Sequence, residues 1–483
     1  MPWKMYFCAA AACGFWLCAA LPADAAPRGL PAEVTIALDH AKVPRDAMVA
    51  IVEEVGARSP RLAWQPDRPA NPASLMKLLT TDASLELLGP AWTWTTPVWL
   101  QGTLHNSGPQ GVLEGNLVIK GSGDPKLVLE RMWLLLRRVQ QLGVHEIRGD
   151  IVLDRSAFAA PEQDPADFDG DPLRPYNVQP DALLLNYRSV VLTFTPDAQR
   201  AVAAVSADPT LDGVRSDASV PLSSGPCGDW RTTLKADFSD PARMRFAGSY
   251  PGACGEKEWP VAYIDPKAYN ERMLAGLWHE MGGSLTGRVR DGVAPSSPPS
   301  FVQESPTLAE VVRDINKFSN NTMAQQLFLT LALTQRGSGS PEAARDVLQQ
   351  WAQSRLGDVA KTLVIVNGSG LSRDSRLSAS LLAKLLQNAW ASPVMPELMS
   401  SLPVSGVDGT LRRAKGGFGR AHLKSGSLRD VAGIAGYVLS AGGRRYVLVA
   451  IINHPDANAA RPALDALVQW TAGDARPETK PNE

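Results

Sequence analysis

The chain predicts an α+β fold divided in sequence by a β-rich insert, on three observations. Strand-like runs lie near both ends, before about residue 65 and after about residue 421. Helical patterns fill the stretch from Tyr269 to Ala391. Between the first strands and those helices, residues 95–261 change to short strands parted by Gly-rich or polar turns. A length of 483 residues suits two or three domains. The expected division is a targeting segment at 1–25, one domain formed by 26–94 with 262–474, inserted β-rich material at 95–261, and a disordered tail at 475–483.

Hydrophobic residues make up 45% of the chain and charged residues 20%, an ordinary globular balance. Lys and Arg total 48 against 49 Asp and Glu, so neither nucleic acid nor an anionic membrane surface is expected as the main partner. At the N-terminus Lys4 precedes an apolar run, Met5 to Leu21, and Ala23-Asp24-Ala25 fits a small-x-small cleavage site before Ala26. This reads as a cleavable export signal, with an uncleaved anchor as the alternative; the segment is short and Ala-rich for a span. Cys8, Cys13 and Cys18 lie inside it. Cys227 and Cys254 remain, and an oxidising compartment favours a disulfide between them over two separate buried thiols. Two cysteines without accompanying histidines do not make a zinc site, and no metal or other cofactor is expected.

The elements follow in order. Glu33 to Leu38, Met48 to Glu53 and Arg61 to Trp64 read as strands from their alternating or β-branched residues. Pro72 suits a helix entry, and the Leu- and Met-rich stretch from Leu75 to Leu88 is apolar nearly all round, so it predicts a buried helix stopped by Gly89-Pro90. Within the insert, Val98 to Leu104, Gly115 to Lys120, Glu146 to Leu153, Ala182 to Tyr187, Val190 to Phe194 and Arg200 to Ser206 read as strands, and Glu130 to Leu142 as a helix. An acidic, Pro-rich loop spans 161–174. Helices are expected at Tyr269 to Met281, Thr307 to Phe318, Thr322 to Thr334, Pro341 to Leu356 and Ser378 to Ala391. Three strands, His422 to Ser427, Gly433 to Ser440 and Arg445 to Asn453, precede a last helix, Ala459 to Thr471.

Three short stretches carry chemistry. Ser74 and Lys77 are three apart on the buried helix and so project from one face. A buried lysine tends to lose its proton, and a neutral amine beside a serine hydroxyl is a nucleophile with its base. Alone the pattern is weak, since S-x-x-K arises by chance roughly once or twice in a chain of this size. Ser319-Asn320-Asn321 lies between two expected helices, where a loop can present a hydroxyl and a carboxamide to a cleft; a plain helix cap is the alternative. His422-Leu423-Lys424-Ser425-Gly426-Ser427 lies on a strand whose edge can pair with an extended peptide, Gly426 allowing close approach. A solvated edge lysine is the alternative there.

Taken together, S-x-x-K, S-x-N and K-[ST]-G in this order, at a helix start, an inter-helix loop and a strand, are the signature of penicillin-binding proteins and class A β-lactamases. The chain resembles the penicillin-recognising serine DD-peptidases, and within them the low-molecular-mass D-alanyl-D-alanine carboxypeptidase/endopeptidase family, peptidase family S13. The long insert between Ser74 and Ser319 separates it from the β-lactamases. Residues 180–187, Asn367-Gly368-Ser369-Gly370-Leu371-Ser372-Arg373 and Gly409-Thr410-Leu411 are similar to that family as well. Three positions depart from the pattern: Asn320 at the middle of the loop, Ser425 where Thr is usual, and Asn367 where Asp is usual.

The resemblance implies a transpeptidase-like domain, an antiparallel sheet flanked by helices. It implies that Ser74 attacks the carbonyl between two D-Ala residues with Lys77 as proton acceptor, and that Ser319 relays the proton to the leaving amine. Asn321 would bind substrate backbone, Lys424 and Ser425 the terminal carboxylate, and the N–H groups of Ser74 and Ser427 the oxyanion, with Gly426 between them. Arg373 would pair with a diaminopimelate carboxylate of the stem peptide and Asp164 with its ammonium. The implied partners are peptidoglycan stem peptides and, as covalent inhibitors, β-lactams; peripheral membrane association and a homodimer are further expectations. The competing readings are a β-lactamase, which needs a deacylating base that no residue here supplies by motif, and an inert peptidoglycan-binding scaffold.

Overall fold

Val431–Leu439 and Arg445–Asn453 are buried along nearly their whole lengths. Strands apolar on both faces require cover on both. They form the centre of a five-stranded antiparallel sheet in the order Ala421–Leu428, Val431–Leu439, Arg445–Asn453, Met48–Glu54, Leu62–Trp64. Alternation along the strands divides the core in two. Val49, Ile51, Val447, Val449 and Ile451 face one layer, packed with the helices Met76–Leu88, Pro341–Leu356 and Ala379–Trp390. Met48, Ala50, Val52, Leu448, Ala450 and Ile452 face the other, under Ala32–His40 and Arg461–Ala472. The computed structural model describes Met1 and residues 29–57, 59–105, 110–161 and 163–476. The expected export signal with its three cysteines, and residues 477–483 of the expected tail, lie outside the described residues.

The inserted material has its own core. A seven-stranded sheet is built on Thr95–His105 and Val112–Lys120, with Leu129–Gln141 packed against it. A five-stranded sheet centred on Ser189–Asp197 and Val202–Asp208 and a small three-stranded one complete the insert. Cys227 and Cys254 form a disulfide there. No helix among the described residues is long and apolar enough to cross a membrane.

Several expectations need correction. The insert does not end at residue 261. Ser284–Leu285 and Val289–Asp291 pair in parallel with Glu146–Ile147 and Ile151–Asp154, and Phe301–Glu304 pairs antiparallel with Thr95–His105. The helix Pro266–Glu280 buries Tyr269, Met273, Leu274 and Trp278 in the insert's core, so the chain returns to the first domain only after Glu304. Glu33 to Leu38 is helix rather than strand: Val34 and Leu38 are buried four apart, a helical spacing, and the β-branched run misled by propensity. Ala182 to Tyr187 forms no strand; Leu183 and Leu185 enter the insert's core from a chain that runs into the turn Asn186–Arg188. Arg476, expected in the disordered tail, is held instead by Asp474, which is buried and also accepts from Tyr446 Oη.

Candidate active site

Ser74 sits in a short 3₁₀ turn, Ala73–Leu75, that leads into Met76–Leu88. Ala73 adopts φ of 46°, an uncommon conformation for a residue with a Cβ. Asn71 holds it there: its Oδ1 accepts from Ala73 N at 2.9 Å, while its Nδ2 donates to the carbonyls of Ser372 and Arg373. Asn453 clasps the Asn71 backbone in both directions, accepting from its N–H at 2.7 Å and donating to its carbonyl at 3.1 Å. The serine turn is thereby tied to the central sheet and to the loop at 367–373.

Lys77 lies one turn along, fully buried. Its Nζ is 2.9 Å from Ser74 Oγ, 2.6 Å from Asn321 Oδ1 and 2.7 Å from Ser369 O. Burial, and then the charge of Lys424, push its pKa far below the usual lysine range. A neutral amine has two N–H bonds and one lone pair. Two of its neighbours, the Asn321 and Ser369 oxygens, can only accept. They take both N–H bonds, and the lone pair is left for the Ser74 hydroxyl.

The other groups are delivered by ends of elements. Ser319 closes the helix Leu308–Phe318 in a left-handed conformation, φ 57°. Asn320 then caps the helix Asn321–Arg336 by accepting from Met323 N, so the cap and the cleft-facing roles are divided between neighbours. Ala421–Leu428 is an edge strand. Ser405 N donates to Ala421 O, and Leu423 N donates to Pro403 O, so alternate residues from 421 direct their backbone groups away from the sheet. The same parity turns the backbone groups of Ser425 and Ser427 outward, beside Ser74. Gly426 lies against Pro72 and Leu75; a Cβ there would meet Pro72 O at 2.7 Å. Thr410 Oγ1 and Ser425 Oγ are 2.7 Å apart.

Lys424 departs from its expected task. It is fully buried, and its Nζ donates to Ser319 Oγ at 2.9 Å and Ser425 O at 2.8 Å. Strand alternation turns the side chain inward, and burial brings its pKa down to about 7. It stands behind Ser319 and does not open onto the cleft, whose lining includes Ser74, Ser319, Asn321, Arg373, Ser425, Gly426 and Ser427. Arg373 is tied to Asp430 at 2.8 Å and lies over the Phe168 ring at 5.0 Å. Asp164 lies beside this cleft, in a cavity that Arg373 also lines. It is exposed, its Oδ1 accepts from Ala166 N, and that cavity meets the cleft at Phe168, Tyr176, Leu371 and Arg373. Asp164, Asp169 and Asp171 each accept a backbone N–H from two residues on within this loop.

The family model for the D-Ala-D-Ala carboxypeptidase 3 (S13) family matches residues 32–473. The chain belongs to that family. A D-alanyl-D-alanine carboxypeptidase from Actinomadura sp. (strain R39) is 26% identical over 434 residues, covering 84% of this chain and 78% of the relative. Penicillin-binding protein 4 from Haemophilus influenzae shares the fold, with a TM-score of 0.71 at 20% identity over 90% of this chain and 99% of the other. A penicillin G-acylated predatory endopeptidase from Bdellovibrio bacteriovorus, in complex with an immunity protein, is similar with a TM-score of 0.50 at 16% identity, over 90% and 94% of the two chains.

Sequence reasoning missed Asn71, Asn453 and the role of Asn367. Asn367 Oδ1 accepts from the backbone N–H of Ser369 and Gly370, and its Nδ2 donates to Leu371 O. A carboxylate could not make that last bond. The substitution thus suits the loop that offers Ser369 O to Lys77. Gly370 in that loop has φ of 76°, and a Cβ would stand 1.9 Å from Ala73 O, so the loop can close on the serine turn only with glycine there.

Proposed function

We propose that this chain is an exported serine DD-peptidase that removes terminal D-Ala from peptidoglycan stem peptides and hydrolyses D-Ala–diaminopimelate cross-links, through an acyl-enzyme on Ser74. The observation that carries the reading is the fully buried Lys77 amine, 2.9 Å from Ser74 Oγ and also within hydrogen-bond distance of Asn321 Oδ1 and Ser369 O. Family membership, the carboxypeptidase name of the Actinomadura relative and the endopeptidase name of the Bdellovibrio one support it.

In this mechanism Ser74 Oγ attacks the carbonyl carbon of the penultimate D-Ala while its proton passes to Lys77 Nζ. The N–H groups of Ser74 and Ser427 receive the oxyanion. As the C–N bond breaks, the proton taken up by Lys77 passes to the leaving amine through Ser319 Oγ, whose own hydrogen-bond partner is Lys424. Water then attacks the ester, giving its proton to Lys77, which returns it to Ser74 Oγ as the acyl group leaves. Arg373 beside Phe168 meets a carboxylate of the diaminopimelate side chain. The apolar run at 5–21 and the Ala23-Asp24-Ala25 site support export to the periplasm. A β-lactam presents a strained amide in place of D-Ala-D-Ala and acylates the same oxygen.

The test is a digest of purified pentapeptide monomers and cross-linked muropeptide dimers, with Ser74→Ala as control. Loss of D-Ala from monomers and conversion of dimers to monomers are expected, both absent in the variant. Intact-mass analysis with penicillin should add one antibiotic to the wild type and none to Ser74→Ala. An adduct that persists in the variant, or no product from either substrate, rejects the reading.

A further inference from the structure

We propose that Arg461 is the cation that receives the free α-carboxylate of the residue on the leaving side of the scissile bond. This rests on the DD-peptidase reading above, and names a residue outside the three motifs. A D-Ala-D-Ala end, like the diaminopimelate end of a cross-link, carries a carboxylate on the carbon that bears the leaving nitrogen. A site for such substrates needs a positive group just beyond the serine, on the side of the edge strand.

Lys424 does not supply it, because its amine is buried and committed to Ser319 Oγ and Ser425 O. Arg461 is exposed, lines the same cleft as Ser74, and donates through NH2 to Ser427 Oγ at 2.5 Å. Its aim is set by Asn458. Asn458 Oδ1 accepts from Arg461 Nε at 3.1 Å and NH2 at 3.0 Å, while Asn458 Nδ2 donates to the carbonyls of Leu428 and Arg429 at the end of the edge strand. The guanidinium is therefore anchored to the strand it serves. It makes no ion pair among the described residues. The carboxylate within its electrostatic reach, Asp465, accepts from the backbone N–H groups of Lys415 and Gly416.

Helix stability does not account for an arginine here. Arg461 opens the helix Arg461–Ala472, where the backbone dipole disfavours a cation, and no acidic residue stands in the first turn to offset it. The hydroxyl pair Thr410–Ser425, together with Ser427 and the Arg461 fork, lines one side of the cleft. A carboxylate seated there would take charge-assisted bonds from Arg461 and hydroxyl bonds from the serines. Arg413 and Arg429, also exposed on the cleft, add positive potential farther out.

The experiment compares a peptide ending in D-Ala-D-Ala acid with its C-terminal amide, using the full mature chain. In the wild type, kcat/KM favours the acid. In Arg461→Gln the acid loses ~10–100-fold, the range for one charge-assisted hydrogen bond, and the acid-to-amide ratio collapses to within about threefold. Arg461→Lys restores part of the ratio, since it keeps the charge and loses the fork. A merely structural arginine would lower both substrates together and leave the ratio intact, which overturns the proposal. Calorimetric binding of the same two peptides to Ser74→Ala, with and without Arg461→Gln, gives a readout free of turnover. Acid selectivity that vanishes with Arg461 supports the proposal even if the wild type cleaves neither peptide, an outcome that rejects the DD-peptidase reading alone. Acid selectivity unaffected by Arg461→Gln, or no selectivity in Ser74→Ala, overturns the proposal whatever the catalytic result.

Discussion

Asn321 and Lys77 define what the site can do at the scale of single residues. The Asn321 carboxamide accepts one Lys77 N–H at 2.6 Å without adding charge, and burial lowers the Lys77 pKa, which favours the neutral amine. Asn321→Asp replaces that acceptor by an anion of almost the same shape. An adjacent carboxylate favours the ammonium, so the Lys77 pKa rises and the base is lost near neutral pH. The expected result is a fall in Ser74 acylation of ~10²–10⁴-fold, the usual range for losing a general base. The acid limb of the pH–rate profile should also move to higher pH. Stopped-flow acylation by a chromogenic β-lactam across pH measures both. The lysine and serine were legible in the sequence because three-residue spacing on a helix is local geometry. The Asn71–Asn453 clasp was not, since it joins positions 382 apart and carries no local pattern.

The helix Met76–Leu88 illustrates a conflict held within one element. Asp82 is buried, and its Oδ1 has no hydrogen-bond partner among the described residues. Burial, then the neighbouring Glu86, raise its pKa from the ordinary 3.8 to about 8. At low pH the carboxyl is protonated in both folded and unfolded chains. Between its unfolded value and about 8 the unfolded chain releases a proton that the folded chain keeps, so this group's contribution to stability declines as pH rises through that window. Asp82→Asn removes the titration. The variant's stability relative to wild type should climb with pH between about 4 and about 8, by at most ~1.4 kcal/mol per pH unit. Urea unfolding at several pH values tests it; a difference that stays flat would reject the buried, protonated carboxyl. At this scale most helices and strands were readable from periodicity. The exceptions, Glu33 to Leu38 and Ala182 to Tyr187, are short apolar runs whose conformation is chosen by what they pack against.

At the scale of the whole molecule, the insert and the catalytic domain meet at Gln326. It lies on the helix that Asn321 begins, is fully buried, and accepts from Asp181 N at 2.8 Å while donating to Asp181 O and Gly123 O. Asp181 in turn pairs with Arg155 and Arg188, which fixes the segment leading into the insert's core. Gln326→Leu leaves three backbone groups without partners, at ~1–3 kcal/mol for each that stays buried and unsatisfied. The expected outcome is a lower midpoint in thermal unfolding and weaker binding of stem peptides, with the larger loss for peptides long enough to reach Arg373 and Phe168. Equal loss for short and long peptides would separate this contact from substrate recognition.

What the sequence determined by itself is local: the α+β class, the order of most elements, and the three motifs that hold Ser74, Lys77, Ser319, Asn321, Lys424 and Ser425. Each rests on spacings of a few residues, which helix and strand geometry convert directly into direction. The tertiary structure alone decided where the insert ends, because strands at 284–304 find partners more than a hundred residues earlier. It also decided that Lys424 turns inward behind Ser319, that Asp164 lies beside the Ser74 cleft, and that Arg461 enters it. Those outcomes depend on which side chains are excluded from water and which remote backbone they meet, and no sequence spacing encodes either.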